Sequence, residues 1–307
     1  MTRVVVSGAT GTIGHQICQT LSDRGDQVLA LTRNPATAAA RLPAGVSPVA
    51  WAEPTEELPP LEALAGADAV IHLLGEPISQ RWTPSIKAKI QDSRVKSTAK
   101  LVSALIGLAE DERPRVLVSQ SATGYYGPHG SEEVDEQTPA ASGFLAGVVK
   151  SWEAQARSAE ASMRVVVTRT GVVLSPAGGA LEKMLPFFKM GVGGPIAGGR
   201  QYVPWVHVDD VVAAMVFCLD QQSATGALNL TAPNPVENAA FGRALGQALH
   251  RPAILPVPGF ALRLLYGEMA EIVTTGQRVI PKRLLELGYK FRYEQLGRAL
   301  EDVLSDS

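Results

Sequence analysis

Short apolar runs alternate with stretches of helical periodicity through the first 174 residues of the chain. The runs consist mostly of valine, leucine, isoleucine and alanine, as in strands that are buried on both faces of a parallel sheet. They predict strands over 3–6, 27–32, 46–51, 68–74, 115–119 and 164–169, the last continuing to 174. The intervening segments, above all 84–110 and 142–160, carry apolar residues at helical spacing. This alternation predicts an α/β fold with a parallel sheet.

The pattern changes after residue 174. Residues 175–199 are rich in glycine and proline, and helical periodicity dominates the remainder of the chain. Further helices are predicted over 181–189, 209–220, 237–249, 259–268, 281–287 and 293–303, with one more sheet strand over 228–230. We therefore expect a doubly wound parallel Rossmann sheet with a smaller, mainly helical C-terminal substrate lobe. The predicted Rossmann domain covers 1–174 with a return over about 203–231, and the predicted lobe covers 175–202 and 232–307.

A glycine-rich loop directly follows the first strand. Gly8, Gly11 and Gly14 have the spacing G-x-x-G-x-x-G, and apolar residues at helical spacing begin inside the loop. A dinucleotide fingerprint needs this order of strand, glycine turn and helix. Gly8 permits the tight turn, Gly11 lets the backbone approach a pyrophosphate, and Gly14 lets helix and strand pack closely. The alternative is a tight turn between strand and helix that has no function.

Residues at the ends of the second and fourth strands indicate which dinucleotide the protein prefers and where it would bind. Thr32 and Arg33 end the second strand, where an acid would bind a ribose hydroxyl and an arginine favours a 2′-phosphate. The sequence has the arginine and no acid, which favours NADP(H) over NAD(H), although a solvent-exposed arginine is the alternative. Leu73, Leu74 and Gly75 are expected beside the adenosine or ribose, unless they serve only as core and turn.

A polar loop after the fifth strand offers candidate catalytic groups. It contains Ser121, Tyr125 and Tyr126 and follows the carboxyl end of a strand, where doubly wound folds bind their ligands. Ser121 could donate a hydrogen bond to a substrate carbonyl, or it could be an ordinary turn serine. The two tyrosines could supply a proton, or they could pack in the core.

Composition narrows the class of protein. Of the 307 residues, 46% are apolar and 19% are charged, with a net charge of −2, which is typical of a globular protein and argues against disorder. The sequence contains no basic patch of the kind that binds nucleic acid, so nucleic acid is not an expected partner. No apolar run is long enough to span a membrane. Cys18 and Cys218 suggest buried thiols in a reducing cytoplasm, and a strand from residue 3 leaves no room for a signal peptide. The five histidines show no metal-ligand spacing, and the oligomeric state stays open.

Longer segments resemble a known family. They are DAVIHLLGEPI (68–78), RW (81–82), SRVKST (93–98), GFLAGVVKSWE (143–153), RTGVVLSPAGGAL (169–181), GVGGPIAGGRQYVPWVHVDD (191–210), NLTAPNPVENAAF (229–241) and LGQALHRPA (245–253). With the glycine loop and the S-A-x-G-Y-Y-G segment, they resemble an extended short-chain dehydrogenase/reductase. The closer resemblance is to an atypical branch, the YfcH-like epimerase family proteins. It covers nearly the whole chain.

The resemblance implies a set of functional residues. Those expected to bind the cofactor are Gly8, Thr10, Gly11, Thr12, Ile13, Gly14, Thr32, Arg33, Leu73, Leu74, Gly75, Glu76, Lys89, Arg94, Ser119 and Val173. Ser121 matches the catalytic serine, and Tyr125 and Tyr126 are the nearest phenols that could serve as the acid. Arg94 replaces the structural asparagine of most short-chain reductases, as in the atypical branch. No metal site is predicted, because neither the cysteines nor the histidines suggest one.

One departure from the family pattern concerns catalysis. Extended members carry Tyr-x-x-x-Lys on one helix, whereas alignment on Glu153 places Leu145 and Val149 at those positions. Lys150 lies one residue further, about 100° around the helix. Sliding the alignment by one residue gives Ala146 and Lys150, still without a tyrosine. Two hypotheses remain: an NADP(H)-dependent oxidoreductase or epimerase that acts on a small carbonyl or sugar-like substrate, and an NADP(H)-binding sensor or regulatory protein without turnover.

Overall fold

A computed structural model describes residues 2–305 of the chain, so residue 1 and residues 306–307 of the predicted domains lie outside the described part. The strands are β1 (Arg3–Ser7), β2 (Gln27–Thr32), β3 (Val46–Ala50), β4 (Ala69–His72), β5 (Val116–Ala122), β6 (Glu133–Val134), β7 (Arg164–Thr170), β8 (Val172–Leu174), β9 (Tyr202–Val203), β10 (Trp205–His207), β11 (Gly226–Leu230), β12 (Val236–Glu237) and β13 (Arg278–Val279). Seven of them form one parallel sheet in the order β11-β7-β5-β4-β1-β2-β3. This confirms the predicted doubly wound α/β fold.

The helices cover both faces of the sheet and build the part of the molecule beyond its carboxyl edge. They are α1 (Thr12–Asp23), α2 (Pro35–Ala39), α3 (Leu61–Leu64), α4 (Pro84–Gly107), α5 (Phe144–Arg157), α6 (Gly179–Lys189), α7 (Val208–Asp220), α8 (Asn238–Ala248), α9 (Gly259–Tyr266), α10 (Glu271–Thr274), α11 (Lys282–Glu286) and α12 (Leu296–Leu304). Within residues 2–305, no helix combines the length and the apolar character that a membrane crossing requires.

Two boundaries differ from the prediction for identifiable reasons. The sixth strand does not continue to residue 174, because the chain breaks at Gly171 and β8 pairs with β10 in a separate small sheet. A Cβ atom at Gly171 would clash with the carbonyl oxygen of Pro204, so only glycine fits this break. The last helix begins at Leu296 rather than at Tyr293, because the backbone amide of Tyr293 donates to the Asp210 carboxylate and holds that residue outside the helix.

The sheet separates two apolar cores, because successive side chains of its strands point to opposite faces. On one face Val4 packs in a core with Ile17 of α1 and Met215 of α7. On the other face Val5 packs in a core with Leu101 of α4. A third core lies beneath α6, α8 and α12. The carboxyl ends of β1, β4 and β5 are thereby fixed between these layers.

A buried hydrogen-bonded chain joins β1, β4 and α4 directly behind the glycine loop. The Ser7 hydroxyl accepts a hydrogen bond from the backbone amide of Leu73 at 3.2 Å and lies 2.7 Å from Nδ1 of His72. The Nε2 atom of His72 contacts the Thr98 hydroxyl at 3.0 Å. Complete burial lowers the pKa of His72 from 6.5 to about 3, so the imidazole is neutral. The chain holds Leu73, against whose backbone Gly8 packs.

The neutral, buried His72 predicts an acid-sensitive fold. Between pH 6.5 and about 3 the unfolded chain binds a proton at this histidine that the folded protein cannot bind. The free energy of unfolding should therefore fall as the pH drops below 6.5, with a contribution of about 2 kcal/mol between pH 7.5 and 5. Urea unfolding of His72→Gln should show a pH dependence that is smaller by this amount.

The matched control is His15→Gln, which replaces an exposed histidine on α1 and leaves the Ser7–His72–Thr98 chain intact, so the loss of stability assigned to His72 should remain in it. An equal decline in the wild-type protein and in His72→Gln would show that His72 is protonated in the folded state.

Candidate functional site

The glycine loop between β1 and α1 forms a cradle that is open on one side. Gly8 has a φ of +73°, and a Cβ atom there would lie 3.0 Å from the Leu73 backbone. A Cβ atom at Gly14 would clash with the carbonyl oxygen of Gly8. Gly11 is different, because it is exposed and its Cβ would meet only the Gly8 oxygen, at 3.3 Å. Gly8 and Gly14 are therefore needed by the fold, whereas Gly11 leaves room for a ligand.

The amino end of α1 fits an anionic group. Its N-cap is Gly11, and no side chain caps the first-turn amides. Free N–H groups at a helix N-terminus bind phosphate. The Thr12 hydroxyl is used differently, because it donates to the carbonyl oxygen of Ala177 at 2.7 Å. The segment before α6 thus closes one side of the cradle, and the residues present fit the pyrophosphate of a dinucleotide.

Two arginines lie at the end of the cradle that follows β2. Arg33 is exposed and makes no hydrogen bond or ion pair within residues 2–305. Arg41 follows α2, and its Nη2 donates to the carbonyl oxygen of Thr10 at 3.3 Å. Sequence reasoning missed Arg41, because nothing in the local pattern shows that the chain returns to the loop here.

The opposite wall of the crevice is built by the turn after β4 and by α4. The Arg94 guanidinium lies over Gly75, where a Cβ atom would approach its central carbon to 2.9 Å. Burial lowers the pKa of Arg94 to about 10, against the effect of nearby Glu76, so the side chain stays charged at neutral pH. Ser93 holds the turn through a 2.9 Å hydrogen bond from the Glu76 amide to its hydroxyl. Arg94 is a partly buried cation at the crevice.

Other predicted contacts are less well placed. Lys89 is exposed and lies five residues before Arg94, about 140° around α4, whereas Lys87 shares the face of Arg94. Lys87 pairs with Glu268 at 2.5 Å and lies 5.0 Å from the centre of the Phe144 ring. The helix phase therefore favours Lys87 over Lys89 as the lysine beside the crevice. Among the remaining predicted residues, Ser119 is fully buried in β5, and those that are partly buried are Ile13, Thr32, Leu73, Leu74 and Val173.

A buried ion pair lies beside Ser121. Glu153 of α5 and Arg169 of β7 form a two-pronged pair, with Nε–Oε1 and Nη2–Oε2 distances of 2.8 Å. Ser121 is the register partner of Arg169, and its hydroxyl donates to Oε1 of Glu153 at 2.6 Å. Only 1% of the surface of Ser121 is exposed. The one proton of this hydroxyl is therefore already engaged and does not point to a substrate carbonyl.

The two tyrosines of the loop have different surroundings. Tyr126 is fully buried, and its hydroxyl donates to Oδ1 of Asn229 at 2.6 Å and accepts from Nη1 of Arg169 at 2.9 Å. Burial raises the pKa of Tyr126 to about 12, against the effect of Arg169. Tyr125 is partly exposed, its ring centre lies 3.6 Å from the Arg169 guanidinium, and its hydroxyl has no partner within residues 2–305. The geometry does not support Tyr126 as a proton donor and leaves Tyr125 available.

The face of α5 that meets this loop is apolar. A Cβ atom at Gly124 would lie 3.8 Å from Cβ of Leu145 and 3.9 Å from Cγ2 of Val149. Leu145 and Val149 thus occupy the face on which the resemblance places tyrosine and lysine. Lys150 is exposed, in agreement with the predicted helix phase. Glu153 lies one turn beyond Val149 and is the first charged side chain on this face.

A second polar cluster has a structural explanation. His207, Asp209 and Asp302 bring potential metal-ligating atoms within 4.8 Å of one another. The Nδ1 atom of His207 accepts a hydrogen bond from the backbone amide of Asp209 at 3.0 Å. The proton of the neutral ring is therefore on Nε2, which lies 3.2 Å from the Asp302 carboxylate. A protonated nitrogen cannot bind a metal ion. The cluster instead places Asp302 of α12 beside the residue that caps α7.

Strand order reverses between β1 and β4, and the glycine cradle lies at this switch point. Doubly wound sheets bind dinucleotides at such a point, and this chain is a dinucleotide-binding Rossmann protein by its fold and its loop. Residues 4–230 match the NAD dependent epimerase/dehydratase family, and residues 257–303 match a domain of unknown function, DUF1731. The chain belongs to the NAD dependent epimerase/dehydratase family.

Individual relatives agree with this assignment. The Arabidopsis thaliana chloroplastic homolog of epimerase family protein SDR39U1 is 42% identical over 302 residues, which are 98% of this chain and 86% of the relative. The crystal structure of human SDR39U1 (isoform 2) with NADPH is 34% identical, covers both chains fully and has a TM-score of 0.89. A nucleoside-diphosphate sugar epimerase from Corynebacterium glutamicum is 29% identical, with a TM-score of 0.76 over 98% of this chain and 58% of its own.

The cradle predicts that Gly11→Val abolishes dinucleotide binding in a folded protein. The valine side chain would occupy the space that a pyrophosphate needs, while its Cβ makes only one close contact within the loop. Fluorescence titration with NADPH should show no saturation, and circular dichroism should be unchanged. Gly14→Val is the contrasting variant, which should lower the stability of the fold itself. Unchanged NADPH affinity of Gly11→Val would mean that the loop is only a turn.

Proposed function

We propose that the protein is an NADP(H)-dependent oxidoreductase or epimerase that acts on a small carbonyl or sugar-like substrate in the cytoplasm. The observation that carries this proposal is the buried group of Ser121, Glu153 and Arg169 at the carboxyl end of β5. Burying two charges is costly for stability, and buried groups with a specific charge partner are common at functional sites. The NADPH in the human relative and the sugar-nucleotide activity in the name of the bacterial one support it.

The proposal assigns roles to the chain's own residues. The cradle around Gly11 holds the pyrophosphate, and residues 175–202 and 232–307 form the substrate lobe. When bound, the nicotinamide supplies or accepts a hydride. Tyr125 exchanges a proton with the substrate oxygen, because its hydroxyl is the unengaged phenol of the loop. Ser121 acts as a positioning residue, since its proton is held by Glu153, and Glu153 in turn holds the guanidinium beneath the Tyr125 ring.

The second candidate function is an NADP(H)-binding sensor or regulatory protein without turnover. The apolar pair Leu145 and Val149 favours it, because these side chains occupy the face where extended relatives carry their acid–base pair. Screening aldehydes, ketones and sugar nucleotides for NADPH oxidation separates the two candidates. Absence of turnover, together with a partner that binds the NADP⁺ and NADPH forms with different affinity, would favour the sensor.

Catalysis should depend on Tyr125 far more than on its neighbour. Tyr125→Phe should lower turnover by about 10²–10⁴, the usual contribution of a general acid, with little change in stability because no hydrogen bond is lost. Tyr126→Phe is the matched control, and it should lower the free energy of unfolding by about 1–3 kcal/mol because buried partners lose a bond. Steady-state kinetics and urea unfolding provide the two measurements. Equal turnover in wild-type protein and Tyr125→Phe would exclude this assignment.

The same kinetic assay tests the helix alignment. Ser121→Ala removes the bond that orients Glu153 and should reduce turnover with cofactor affinity nearly unchanged. Lys150→Ala should have no effect, because Lys150 is exposed and lies off the face that meets the loop. A severe loss in Lys150→Ala would restore the usual role of the lysine and overturn the alignment.

Cofactor choice should depend on Arg33. We expect tighter binding of NADPH than of NADH, because a charge-assisted bond from Arg33 to the 2′-phosphate contributes about 1.5–3 kcal/mol. Arg33→Ala should weaken NADPH binding by roughly 10-fold to 150-fold and leave NADH binding unchanged. Calorimetric titration of both cofactors measures this difference. Arg41→Ala is a useful comparison, because Arg41 is tied to the loop backbone. Equal dissociation constants of the native protein for the two cofactors would contradict this prediction.

A further inference from the structure

Three apolar side chains near the amino ends of α4 and α5 stay outside the cores of the protein. The rings of Trp82 and Phe144 pack edge to face with their centres 5.2 Å apart, and Leu145 follows Phe144 in the first turn of α5. All three side chains are partly exposed, and none is a member of the three apolar cores. We call Trp82, Phe144 and Leu145 the apolar wall.

One end of the apolar wall lies beside the loop that carries Tyr125. The amide of Ala141 donates to the carbonyl oxygen of Tyr125 at 3.0 Å, so the segment that leads into α5 runs along this loop. Leu145 lies against Gly124 of the same loop, where a Cβ atom would be 3.8 Å from the Cβ of the leucine. The wall therefore begins next to the candidate proton donor.

The other end of the apolar wall lies where the sheet domain meets the C-terminal lobe. Arg81, the residue before the tryptophan of the wall, places its Nη1 3.4 Å from the carbonyl oxygen of Leu264 in α9. Lys87 lies 5.0 Å from the centre of the Phe144 ring and pairs with Glu268, which follows α9. The apolar wall therefore lines the crevice between the two parts of the molecule.

Polar side chains around the apolar wall are engaged within the protein. The indole nitrogen of Trp82 donates to a backbone carbonyl of its own turn at 2.9 Å. The Lys183 ammonium of α6 donates to the carbonyl oxygen of Ser79 at 2.7 Å and to its hydroxyl at 2.6 Å. Lys87 is held by Glu268. These bonds tie the polar groups to the protein and leave the rings as the surface that a ligand meets.

The two substrate classes, sugars and simple carbonyl compounds, make different demands on such a surface. A sugar carries hydroxyls on most of its carbons, and each hydroxyl that is buried without a partner is costly. An apolar carbonyl compound needs a donor for its oxygen and apolar surface for the remainder, which is the usual composition of a small-molecule pocket.

We propose that the substrate is a small aldehyde or ketone whose carbonyl carries an aromatic or alicyclic group, and that Trp82 and Phe144 bind this group. The inference rests on the proposed enzymatic function and names its substrate class. It assigns to Phe144 a role in specificity, while Tyr125 keeps its role at the carbonyl oxygen.

The reaction balances with these groups. The carbonyl carbon accepts a hydride from NADPH and the carbonyl oxygen accepts the proton of Tyr125, so that an alcohol and NADP⁺ are formed. The Tyr125 phenolate then regains a proton from water. The apolar wall takes no part in these transfers and determines only which carbonyl compound binds.

NMR titration of the NADPH-loaded protein, observed on the ligand, tests the substrate class without turnover, because NADPH cannot reduce an alcohol. Benzyl alcohol should bind at least about 10-fold more tightly than methyl α-glucoside and UDP-glucose, because its ring packs on the wall and leaves no hydroxyl unpaired beyond the one at the reacting carbon. A steady-state assay with benzaldehyde and NADPH then measures whether the bound class is also turned over.

Phe144→Asn and Phe144→Leu form a matched pair of variants. Phe144→Asn should weaken benzyl alcohol binding by about 10-fold, whereas Phe144→Leu keeps an apolar side chain and should stay within about 3-fold of the wild type. Ile106→Ala truncates an exposed apolar side chain at the far end of α4 and should bind benzyl alcohol as the wild type does. Circular dichroism and NADPH titration verify that each variant is folded and binds cofactor.

Three results would overturn the proposal. Tighter binding of methyl α-glucoside or UDP-glucose than of benzyl alcohol would assign the crevice to sugars. Equal affinity of wild type and Phe144→Asn for benzyl alcohol would remove the ring from the site. Absence of binding by all three probes would exclude both classes. Binding of benzyl alcohol that depends on Phe144, without turnover of benzaldehyde, would support the ligand class and overturn the proposed enzymatic function instead.

Discussion

The arrangement of the candidate site depends on the buried pair of Glu153 and Arg169. Two charges that are almost fully enclosed are expensive to desolvate, and the pair is tolerable because every nitrogen of the guanidinium and both carboxylate oxygens have a hydrogen-bond partner. Glu153 accepts from Ser121 as well as from the guanidinium, and Arg169 also donates to the Tyr126 hydroxyl. The pair therefore connects α5, β5 and β7 with the loop that carries the candidate proton donor. Removal of either partner would leave an unpaired buried charge, a change that commonly costs about 3–5 kcal/mol.

Much of the scaffold around this pair could be predicted from the sequence, because its signals are local. Apolar runs predicted the strands of the main sheet, and the spacing of Gly8, Gly11 and Gly14 predicted the cradle at the end of β1. The structure adds the reason why each glycine is needed: Gly8 and Gly14 prevent collisions within the protein, and Gly11 leaves space. The atoms that these glycines would otherwise meet lie within the same loop or directly after the neighbouring strand β4. Local pattern is sufficient to detect them.

The chemistry of the site was much harder to predict, because it depends on contacts between distant segments. In the sequence alone, Glu153 is an alignment landmark and Arg169 a strand residue, and only the register of β5 with β7 brings the two together. Arg41 reaches the loop only because the chain returns after α2. The break at Gly171 depends on Pro204, more than thirty residues later. No spacing within one segment carries this information.

Helix α5 lacks the tyrosine and lysine that extended short-chain dehydrogenase/reductases carry. In this chain the positions at Leu145 and Val149 are apolar and pack on the loop, so the helix supports the loop instead of supplying the reactive group. Polar character reappears one turn later at Glu153, which acts on the loop through Arg169. Under the proposed function, a site built in this way places its acid–base chemistry on the loop after β5 instead of on the helix. The rigid pair beneath that loop then matters because a proton donor on a loop is useful only where its supporting contacts hold it in place.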